Sequence, residues 1–402
     1  MTALSPATVL TRAAELEIRV TAAGDVVVVT DRGMVSGGPH CLAILDLFAE
    51  PTTLAEALET LAVRTGGGQD WIDLSAAILR LASAGVLRSA DEPEAEPDRV
   101  VEATFDSPSA HVSMLEDRVR TSAFIQALEE LVQPDDVVVD IGTGTSILAM
   151  AAARAGARHV YAIEATPLGR QAREVVEANG LGERVTVVEG WSTRVDLPEQ
   201  GTLAVAEILG SDALEERALP VLLDARKRLL ASDARLVPAR IRIFGVPLTV
   251  PQERLEHLTF TPANTERWSE WYGLELGGLT DYTARLWQRL TVGIEDVQDW
   301  PALSEPVLLA EVDLATLESP IIESVVEATA TASGDATGVT AFFEADLSPG
   351  VTISTSPALD APPNSWGLPV WLAPQPARLV RGEPFRVGYA YTGLGGRVRL
   401  LR

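Results

Sequence analysis

The most regular hydrophobic pattern lies in the middle of the chain. An apolar run at residues 137–139 predicts a buried strand, and apolar positions at helical spacing over residues 147–157 predict a helix. Gly142 and Gly144 lie between these elements, and a second apolar run, HVYAI, ends at Glu164. The order strand, glycine turn, helix, strand is typical of a parallel α/β sheet of the Rossmann type.

The pattern before this sheet is different. Residues 1–90 begin with alternating apolar and polar positions around a turn at residues 24–25, which predicts two or three short strands. Three helical patterns follow, HCLAILDLFAE, TLAEALETLAVRT and DLSAAILRLASAGVLRS, the last ending near Gly85. We therefore expect a small winged-helix-like α+β domain over residues 1–90, joined by a charged, proline-containing linker at residues 91–100.

After about residue 238 the helical period fades, and short β-prone runs alternate with glycine and proline. These runs are at residues 240–250, 286–295, 307–314, 324–334, 339–347, 351–356, 385–391 and 397–402. They predict an antiparallel barrel or sandwich over residues 239–402, which leaves residues 101–238 for the α/β domain.

The chain is strongly acidic. Its 402 residues include 57 Asp and Glu against 32 Lys and Arg, for a formal net charge of −25. This balance disfavours binding to nucleic acid and to anionic membranes, and it would attract a cationic partner, although acidity also serves solubility alone.

Cysteine and histidine usage limits the chemistry further. Cys41 is the sole cysteine, so neither an intramolecular disulfide nor a thiolate metal cluster can form. The four histidines, of which His159 begins a predicted strand, lack the spacing of metal ligands. The N terminus has no basic stretch followed by an apolar core, and no apolar run reaches about 18 residues. We expect a soluble, cytoplasmic protein without a metal.

The glycine turn indicates a nucleotide-containing cofactor. The carboxylate of Glu164, at the end of the second strand, can accept hydrogen bonds from both ribose hydroxyls, as in sites for NAD and for S-adenosylmethionine. Asp140 precedes the first glycine and would repel a pyrophosphate, but it suits the ammonium of S-adenosylmethionine. The turn therefore favours S-adenosylmethionine, the alternative being an ordinary tight turn with no cofactor.

The surrounding segments resemble the protein arginine methyltransferases. TFDSPSAHVSMLEDRVRT at residues 104–121 is similar to their cofactor-covering N-terminal helices, and residues 185–216 to the stretch that leads through their double-glutamate loop. Residues 266–279 and 308–317 resemble segments of their C-terminal barrel, and Asn-Ser-Trp at residues 364–366 takes the place of their Thr-His-Trp loop.

The resemblance covers residues 100–402 and implies an α/β Rossmann-like class I methyltransferase domain with a C-terminal antiparallel β-barrel. It implies binding of S-adenosylmethionine, with Arg120 gripping the carboxylate of the cofactor through a two-pronged hydrogen bond. Met114 would pack near the sulfonium or fill the core. The full implied cofactor set is His111, Met114, Arg120, Asp140, Gly142, Gly144, Glu164, Glu189, Gly190, Trp191 and Thr193.

The implied catalytic pair is Glu207 and Glu216, at the spacing of the double-glutamate loop. Two carboxylates facing one pocket can orient a cationic nitrogen, and one of them can take a proton as methylation proceeds. The alternative is a pair of solvated loop acids, and Glu215 beside Glu216 leaves the assignment ambiguous.

Several positions depart from the family pattern. Ser365 stands where the family usually has a histidine, and Thr104 and Pro108 or Ser109 stand where tyrosines are expected. Thr193 takes the place of the acid on the adenine side. Acceptor contacts would come from Phe105, Ser365 and Trp366. We expect the cofactor site to be kept and the acceptor site to be remodelled, so that an amine other than a guanidinium becomes an acceptor.

Residues 1–90 resemble PqqD-like domains, the recognition elements that bind the leaders of ribosomally synthesised and post-translationally modified peptides as an added strand. The alternative is a dimerisation or DNA-binding winged helix, and DNA is disfavoured because the segment lacks a basic recognition helix.

The combination resembles the methyltransferases of daptide-type pathways, which methylate an amine made at the modified C terminus of the peptide. The chain is therefore predicted to be an S-adenosylmethionine-dependent N-methyltransferase that acts on a precursor peptide with a leader. A protein arginine N-methyltransferase and a non-catalytic scaffold remain as alternatives. Residues 246–266 are a candidate dimerisation arm, which would give a homodimer.

Overall fold

The computed structural model describes residues 5–13, 16–20, 26–30, 33–36, 40–62, 68–89, 107–283, 288–358, 365–393 and 395–401. The chain forms two compact units, residues 1–104 and residues 105–402, called here the N-terminal and C-terminal units. The predicted turn at residues 24–25, the linker at residues 91–100, Phe105 and Asn364 lie outside the described residues.

The N-terminal unit contains two three-stranded antiparallel sheets, with strand orders β5-β1-β6 and β2-β3-β4, and three helices. Their bounds are β1 Val9–Arg12, β2 Glu17–Val20, β3 Val26–Thr30, β4 Gly33–Ser36, α1 Cys41–Leu47, β5 Thr52–Thr53, α2 Leu54–Ala62, α3 Gly68–Ser83 and β6 Leu87–Ser89. A core of buried side chains, including Ile44, Phe48 and Leu81, joins helices to strands within this unit.

Local chemistry explains two helix ends in this unit. Thr53 and Glu56 form a reciprocal capping box, in which the Thr53 hydroxyl accepts from the Glu56 amide and the Glu56 carboxylate accepts from the Thr53 amide. Helix α3 ends at Ser83 and Gly85 adopts φ +70. The helix thus ends near Gly85, as the sequence predicts, and residues 87–89 beyond it form β6 and pair with β1.

The C-terminal unit begins with a five-stranded parallel sheet of order β11-β10-β7-β8-β9, which confirms the predicted Rossmann-like arrangement. Its elements are α4 Pro108–Glu116, α5 Arg118–Leu131, β7 Val137–Ile141, α6 Ile147–Ala155, β8 His159–Glu164, α7 Leu168–Ala178, β9 Val185–Glu189, β10 Gly201–Val205, α8 Ala218–Arg228 and β11 Leu230–Val237. All five residues of β7 are buried, as expected for a central strand covered on both faces.

A buried carboxylate fixes one end of this sheet. Asp136, just before β7, accepts a hydrogen bond from the Thr202 hydroxyl of β10 at 2.6 Å and forms an ion pair with Arg235 of β11 at 2.5 Å. Burial alone would raise the pKa of Asp136, but the hydrogen bonds from Thr202 and Arg235 outweigh it and lower the pKa. Asp136 therefore joins the amino ends of β7 and β10 to the later half of β11 and fixes the position of these three strands relative to one another.

The remainder of the C-terminal unit contains two antiparallel sheets, with strand orders β13-β18-β16-β12-β14 and β15-β19-β20, and β17 pairs with β16. Its strands are β12 Arg240–Leu248, β13 Gln288–Val292, β14 Val307–Asp313, β15 Ile321–Thr329, β16 Gly334–Ser348, β17 Val351–Ser354, β18 Leu368–Leu379, β19 Pro384–Thr392 and β20 Gly396–Leu401. The predicted antiparallel arrangement is confirmed; closure into a barrel stays a prediction.

Sequence patterns missed β18, because three prolines, Pro369, Pro374 and Pro376, argue against a central strand. The structure accommodates Pro374 and Pro376 where the pairing of β18 with β16 shifts register, between Ala336 and Gly338.

Four helices also interrupt the region in which only strands were expected: α9 Gln252–Leu258, α10 Pro262–Tyr272, α11 Leu279–Thr283 and α12 Ile294–Gln298. Residues 266–272, part of a segment that resembles the C-terminal barrel of the family, lie in helix α10 and not in a strand. Thr261 caps α10 through its hydroxyl and Pro262 opens the helix, which is a start signal present in the sequence. Within the described part of the chain, no helix has both the length and the apolar character needed to cross a membrane.

Candidate active site

The candidate site lies at the carboxyl ends of β7, β8 and β10, where ligands bind in open α/β sheets. The glycine turn follows β7, Glu164 ends β8, and residues 207–216, called here the glutamate loop, follow β10. Helices α4 and α5 supply His111, Met114 and Arg120, and the segment before β18 supplies Ser365 and Trp366.

The turn after β7 needs its glycines. Gly142 and Gly144 have φ of +72 and +53, a region that residues with a Cβ rarely adopt. A Cβ on Gly142 would lie 2.9 Å from Cγ2 of Ile208, at the start of the glutamate loop. The backbone of the turn therefore closely approaches the loop that carries the predicted catalytic residues.

Glu164 is buried at the end of β8, and both of its carboxylate oxygens accept hydrogen bonds from backbone amides. The Gly144 amide donates at 2.7 Å and the Thr166 amide at 2.9 Å. Each carboxylate oxygen has a second lone pair, so the group can still accept two hydroxyl hydrogens. These two accepting oxygens fit the ribose hydroxyls of a nucleotide cofactor, as the sequence predicts.

Asp140 is also buried, but its side chain organises the turn. Its Oδ2 accepts from the Thr143 hydroxyl at 2.5 Å. Burial raises the pKa of Asp140 to about 7, and the negative charge of Glu164 adds to this effect. The sequence argument treated Asp140 as a full anion facing the ligand; in the structure its charge at neutral pH depends on what binds nearby.

Arg120 connects the predicted cofactor residues to the predicted catalytic ones. Its Nη1 lies 3.1 Å from Oε2 of Glu207, with both side chains nearly buried, and its Nη2 donates to the Met114 carbonyl at 2.7 Å. The guanidinium carbon lies 5.4 Å from the ring centroid of Trp366. Met114 thus takes part in the site through its backbone, while its side chain is only half-buried.

Asp117 is a site residue to which sequence reasoning assigned no role. Its Oδ1 accepts from the Arg120 amide at 2.9 Å and caps α5, and its Oδ2 accepts from the Ser365 amide at 2.7 Å. The helix-capping contact of Asp117 could be predicted from the sequence, because an aspartate just before a helix commonly accepts a hydrogen bond from an amide of the first turn. The contact with Ser365 could not, because the two residues are 248 positions apart.

Trp366 closes the site from the antiparallel region. Its Nε1 donates to the Leu209 carbonyl of the glutamate loop at 2.8 Å, and its ring packs edge-on against Phe343 with centroids 5.3 Å apart. Ser365 is exposed beside it. Phe105, the third residue predicted to contact the acceptor, lies outside the described residues.

Glu207 and Glu216 form a coupled pair. Burial raises the pKa of Glu207 to about 7, and the positive charge of Arg120 opposes the rise. Burial raises the pKa of the half-buried Glu216 to about 8, and the negative charges of Glu207 and Glu215 contribute. Neither residue is an ordinary solvated loop acid.

The neighbouring residues Glu215 and Glu216 differ in their contacts. Glu215 makes a two-pronged ion pair with Arg289 of β13, at 2.7 and 2.9 Å. Arg289 itself lies over Trp371, with its guanidinium carbon 5.8 Å from the ring centroid. Because Glu215 is engaged on β13, Glu216 is the member of the two that couples to Glu207.

Of the remaining predicted cofactor residues, Glu189 and Gly190 lie beside Glu164. The Gly190 amide, at φ +139, donates to the Glu164 carbonyl at 2.8 Å, and a Cβ on Gly144 would lie 3.4 Å from the His111 ring. Glu189 forms an ion pair with Arg173 at 2.9 Å. Trp191 is half-buried and Thr193 is exposed.

The charges at this site are unbalanced. Asp140, Glu207 and Glu216 are buried or half-buried carboxyl groups with raised pKa values, and Arg120 is the cation that pairs with one of them. Such a site stabilises a bound cation, because a cation restores the charge that burial suppresses. Among the described residues no cluster of histidine, cysteine and acidic side chains could hold a metal ion.

This charge has a consequence for stability. Because the pKa of Glu216 is raised in the folded state, its contribution to the free energy of unfolding is fully present below about pH 4.5, where Glu216 is protonated in both the folded and the unfolded state. That stabilising contribution is lost as the pH rises towards about 8. Without cofactor, Glu216→Gln should raise the melting temperature relative to wild type at about pH 8 and leave it nearly unchanged at about pH 5. Melting curves across this range test it, with Glu177→Gln on the exposed face of α7 as the matched control. A difference between Glu216→Gln and wild type that does not vary with pH would contradict the electrostatic assignment.

Known methyltransferases are similar to this chain over part of its length. A model of the ribosomal protein L11 methyltransferase (PrmA) family matches residues 119–235. The chain is 32% identical over 240 residues to a probable protein arginine N-methyltransferase 6.1 of Oryza sativa subsp. indica, covering 59% of this chain and 61% of that protein. It therefore spans about three fifths of the length of that relative.

Solved structures are similar in fold. The PRMT1 enzyme-prozyme heterotetrameric complex of Trypanosoma brucei with AdoHcy matches with a TM-score of 0.62 at 24% identity, covering 71% of this chain and 88% of that chain. Protein arginine methyltransferase 10 of Arabidopsis thaliana matches with a TM-score of 0.59 at 22% identity, covering 74% of this chain and 97% of that chain.

An arginine N(omega)-methyltransferase of Streptomyces achromogenes subsp. streptozoticus is 33% identical over 266 residues, which cover 64% of this chain and 69% of that protein. At that identity and coverage, and with the glycine turn and glutamate loop placed as described, the chain belongs to the arginine N-methyltransferase family of S-adenosylmethionine-dependent enzymes.

Proposed function

We propose that the protein transfers a methyl group from S-adenosylmethionine to the nitrogen of an acceptor that is cationic in water. One observation carries the proposal: the nearly buried Glu207 and the half-buried Glu216 both have raised pKa values, and Arg120 joins Glu207 to the cofactor side of the site. A site of this kind favours a cation and can exchange protons near neutral pH.

The residues of the chain divide the work of binding. Glu164 holds the ribose hydroxyls through the lone pairs left free by the Gly144 and Thr166 amides. The guanidinium of Arg120 has five N–H donors, so it can bind the cofactor carboxylate while it keeps its contacts to Glu207 and the Met114 carbonyl. When bound, S-adenosylmethionine supplies an electrophilic methyl group on a sulfonium.

The glutamate pair prepares the acceptor. An ammonium group has no lone pair and cannot attack, so the nitrogen must lose a proton before methyl transfer. Glu216, with a pKa of about 8, is matched to take that proton, and Glu207 is held by Arg120 to orient the nitrogen. Glu207, which is paired with Arg120 and has not taken the proton, stabilises the positive charge that returns to the nitrogen as the new bond forms.

Within this reaction we favour an aliphatic amine of a ribosomally synthesised peptide as the acceptor, as in daptide-type C-terminal dimethylation. Two features support it. First, Ser365 replaces the usual histidine, and its backbone amide is fixed by Asp117. Second, Thr104 and Pro108 or Ser109 stand where the protein arginine methyltransferases, which this chain resembles, have the tyrosines that shape their arginine pocket. The N-terminal unit supplies a second argument.

We propose that the N-terminal unit is a PqqD-like module that binds the leader of the peptide. Its sheet β2-β3-β4 follows chain order, and among the described residues the outer strands β2 and β4 each pair only with β3. An open strand edge is what a peptide needs to add as a further strand.

A guanidinium acceptor is the second candidate. It is favoured by the names of relatives from rice and Streptomyces, which are arginine methyltransferases. Glutamate carboxylates can bind a guanidinium by two parallel hydrogen bonds as well as they orient an amine.

Mass spectrometry with S-adenosylmethionine and two acceptor peptides, one ending in an aliphatic amine and one containing arginine, distinguishes these acceptors. We expect methylation of the amine, and a turnover lower by about 10²-fold in Glu216→Gln, because the group that takes the proton from the nitrogen is lost. Binding of S-adenosylhomocysteine should be nearly unchanged, since Arg120 pairs with Glu207. Methylation of arginine alone would establish the guanidinium candidate, and cofactor binding without methylation of either peptide would support a scaffold.

Removal of the N-terminal unit tests the leader proposal. Residues 105–402 keep their own core, so the shortened chain should fold. We expect its Michaelis constant to rise at least about tenfold for a leader-bearing peptide encoded beside the gene and to stay unchanged for the leaderless core peptide, because tethering acts through effective concentration. Equal losses for both peptides would refute the leader role.

A further inference from the structure

One buried carboxyl group of the glutamate loop takes no part in the proposed chemistry. Asp212 is 5% exposed. Its Oδ1 accepts from the Leu214 amide at 3.2 Å, and its Oδ2 accepts from the Gly396 amide at 2.9 Å. Gly396 is the first residue of β20, so one side chain joins the glutamate loop to a strand 184 positions later in the chain.

The contact with β20 is tightly built. A Cβ on Gly396 would lie 3.0 Å from Cε2 and 3.1 Å from the hydroxyl of Tyr389, and 3.4 Å from Oδ2 of Asp212. Glycine therefore lets the β20 backbone approach both side chains. Tyr389 and its neighbour Tyr391 are buried, and their hydroxyl groups have no hydrogen-bond partner within the described residues.

The loop that Asp212 holds has a strained backbone. Ala213 and Arg217 have φ of +67 and +59, values that cost energy for any residue with a Cβ. Such conformations persist only when surrounding contacts enforce them. They flank Glu216, so the direction in which its carboxyl points depends on these contacts.

A second contact secures the same loop from another strand. Glu215 is held by Arg289 of β13, and a Cβ on Gly210 would lie 2.6 Å from Cβ of Glu215. The loop is thus fixed by Asp212 on the β20 side and by Glu215 on the β13 side. Glu216 follows Glu215 directly in the chain, and the negative charges of Glu207, Glu215 and Asp212 all raise its pKa.

We propose that Asp212 is a positioning residue for the acceptor nitrogen: by fixing the Leu214 and Gly396 amides, it holds the strained backbone that directs Glu216 towards Glu207. The inference rests on the proposed transfer of a methyl group to nitrogen. Asp212 acts through Glu216 and touches neither the cofactor nor the acceptor.

Asp212→Asn tests this role in the full chain. An amide keeps one accepting oxygen and replaces the other with a donor, so at least one of the two backbone amides loses its acceptor. We expect kcat/KM for the amine peptide to fall about tenfold or more, since small displacements of a positioning group are costly. The KM for S-adenosylmethionine and the affinity for S-adenosylhomocysteine should stay within about twofold of wild type, because Glu164 and Arg120 are unaffected.

Hydrogen-deuterium exchange gives a readout independent of activity. Peptides that contain Leu214 and Gly396 should exchange faster in Asp212→Asn. Asp313→Asn is the matched control, because Asp313 also accepts from two backbone amides, those of Ala315 and Thr316, at an exposed strand end. It should leave kinetics unchanged.

The outcomes separate the two proposals. A wild-type protein that binds S-adenosylhomocysteine and methylates no nitrogen would contradict the proposed function. An active wild type with an equally active Asp212→Asn would overturn the positioning role. An Asp212→Asn variant in which kcat/KM for the amine peptide and the affinity for S-adenosylhomocysteine fall by the same factor would also overturn it. If Asp212→Asn fails to fold, Asp212→Ser, which keeps a small neutral acceptor, must show the same acceptor-specific loss.

Discussion

Burial of carboxyl groups near the Arg120 guanidinium is the constraint on which this site depends. Glu207, Glu216 and Asp140 all have pKa values raised by burial, and Arg120 pairs directly with Glu207. Buried charge without full compensation is costly for folding. The chain bears that cost where a cationic ligand would remove it, which is typical of sites that trade stability for function.

The fold supplies this charge from separate parts of the chain. Arg120 comes from α5, the glutamate loop follows β10, and Trp366 lies just before β18. Asp117 fixes the start of α5 and the backbone of Ser365, and Trp366 binds the Leu209 carbonyl. The parallel sheet and the antiparallel region therefore meet at the site through specific hydrogen bonds, so that the position of the glutamates depends on both.

The parallel sheet, the glycine turn and Glu164 were predictable because their signals are local: an apolar run, two glycines and a terminal acid in consecutive elements. The antiparallel region was predictable as a class, but β18 was missed because its prolines lie at a register shift that no local pattern reveals. The four helices between β12 and β14 were missed although Thr261 and Pro262 signal one of them.

Contacts between residues far apart in the chain limit how much of the site can be predicted from the sequence. The catalytic role of Glu207 and Glu216 stays a prediction, and the contact that distinguishes Glu215 from Glu216 comes from Arg289, 74 positions from Glu215. The pairing of Arg120 with Glu207 and the attachment of Asp212 to Gly396 likewise join distant segments. Sequence patterns give the residue types at such a site, and the tertiary fold decides which of them meet.

The affinities of S-adenosylmethionine and S-adenosylhomocysteine, measured by calorimetry from about pH 6 to about pH 9, test the central claim most directly. The two ligands have nearly the same shape and differ by the sulfonium charge. If the buried carboxyl groups compensate a cation at the reacting centre, the preference for S-adenosylmethionine should increase with pH as Glu207 and Glu216 lose their protons, whose pKa values are about 7 and about 8. A preference that stays constant across this range would contradict the account.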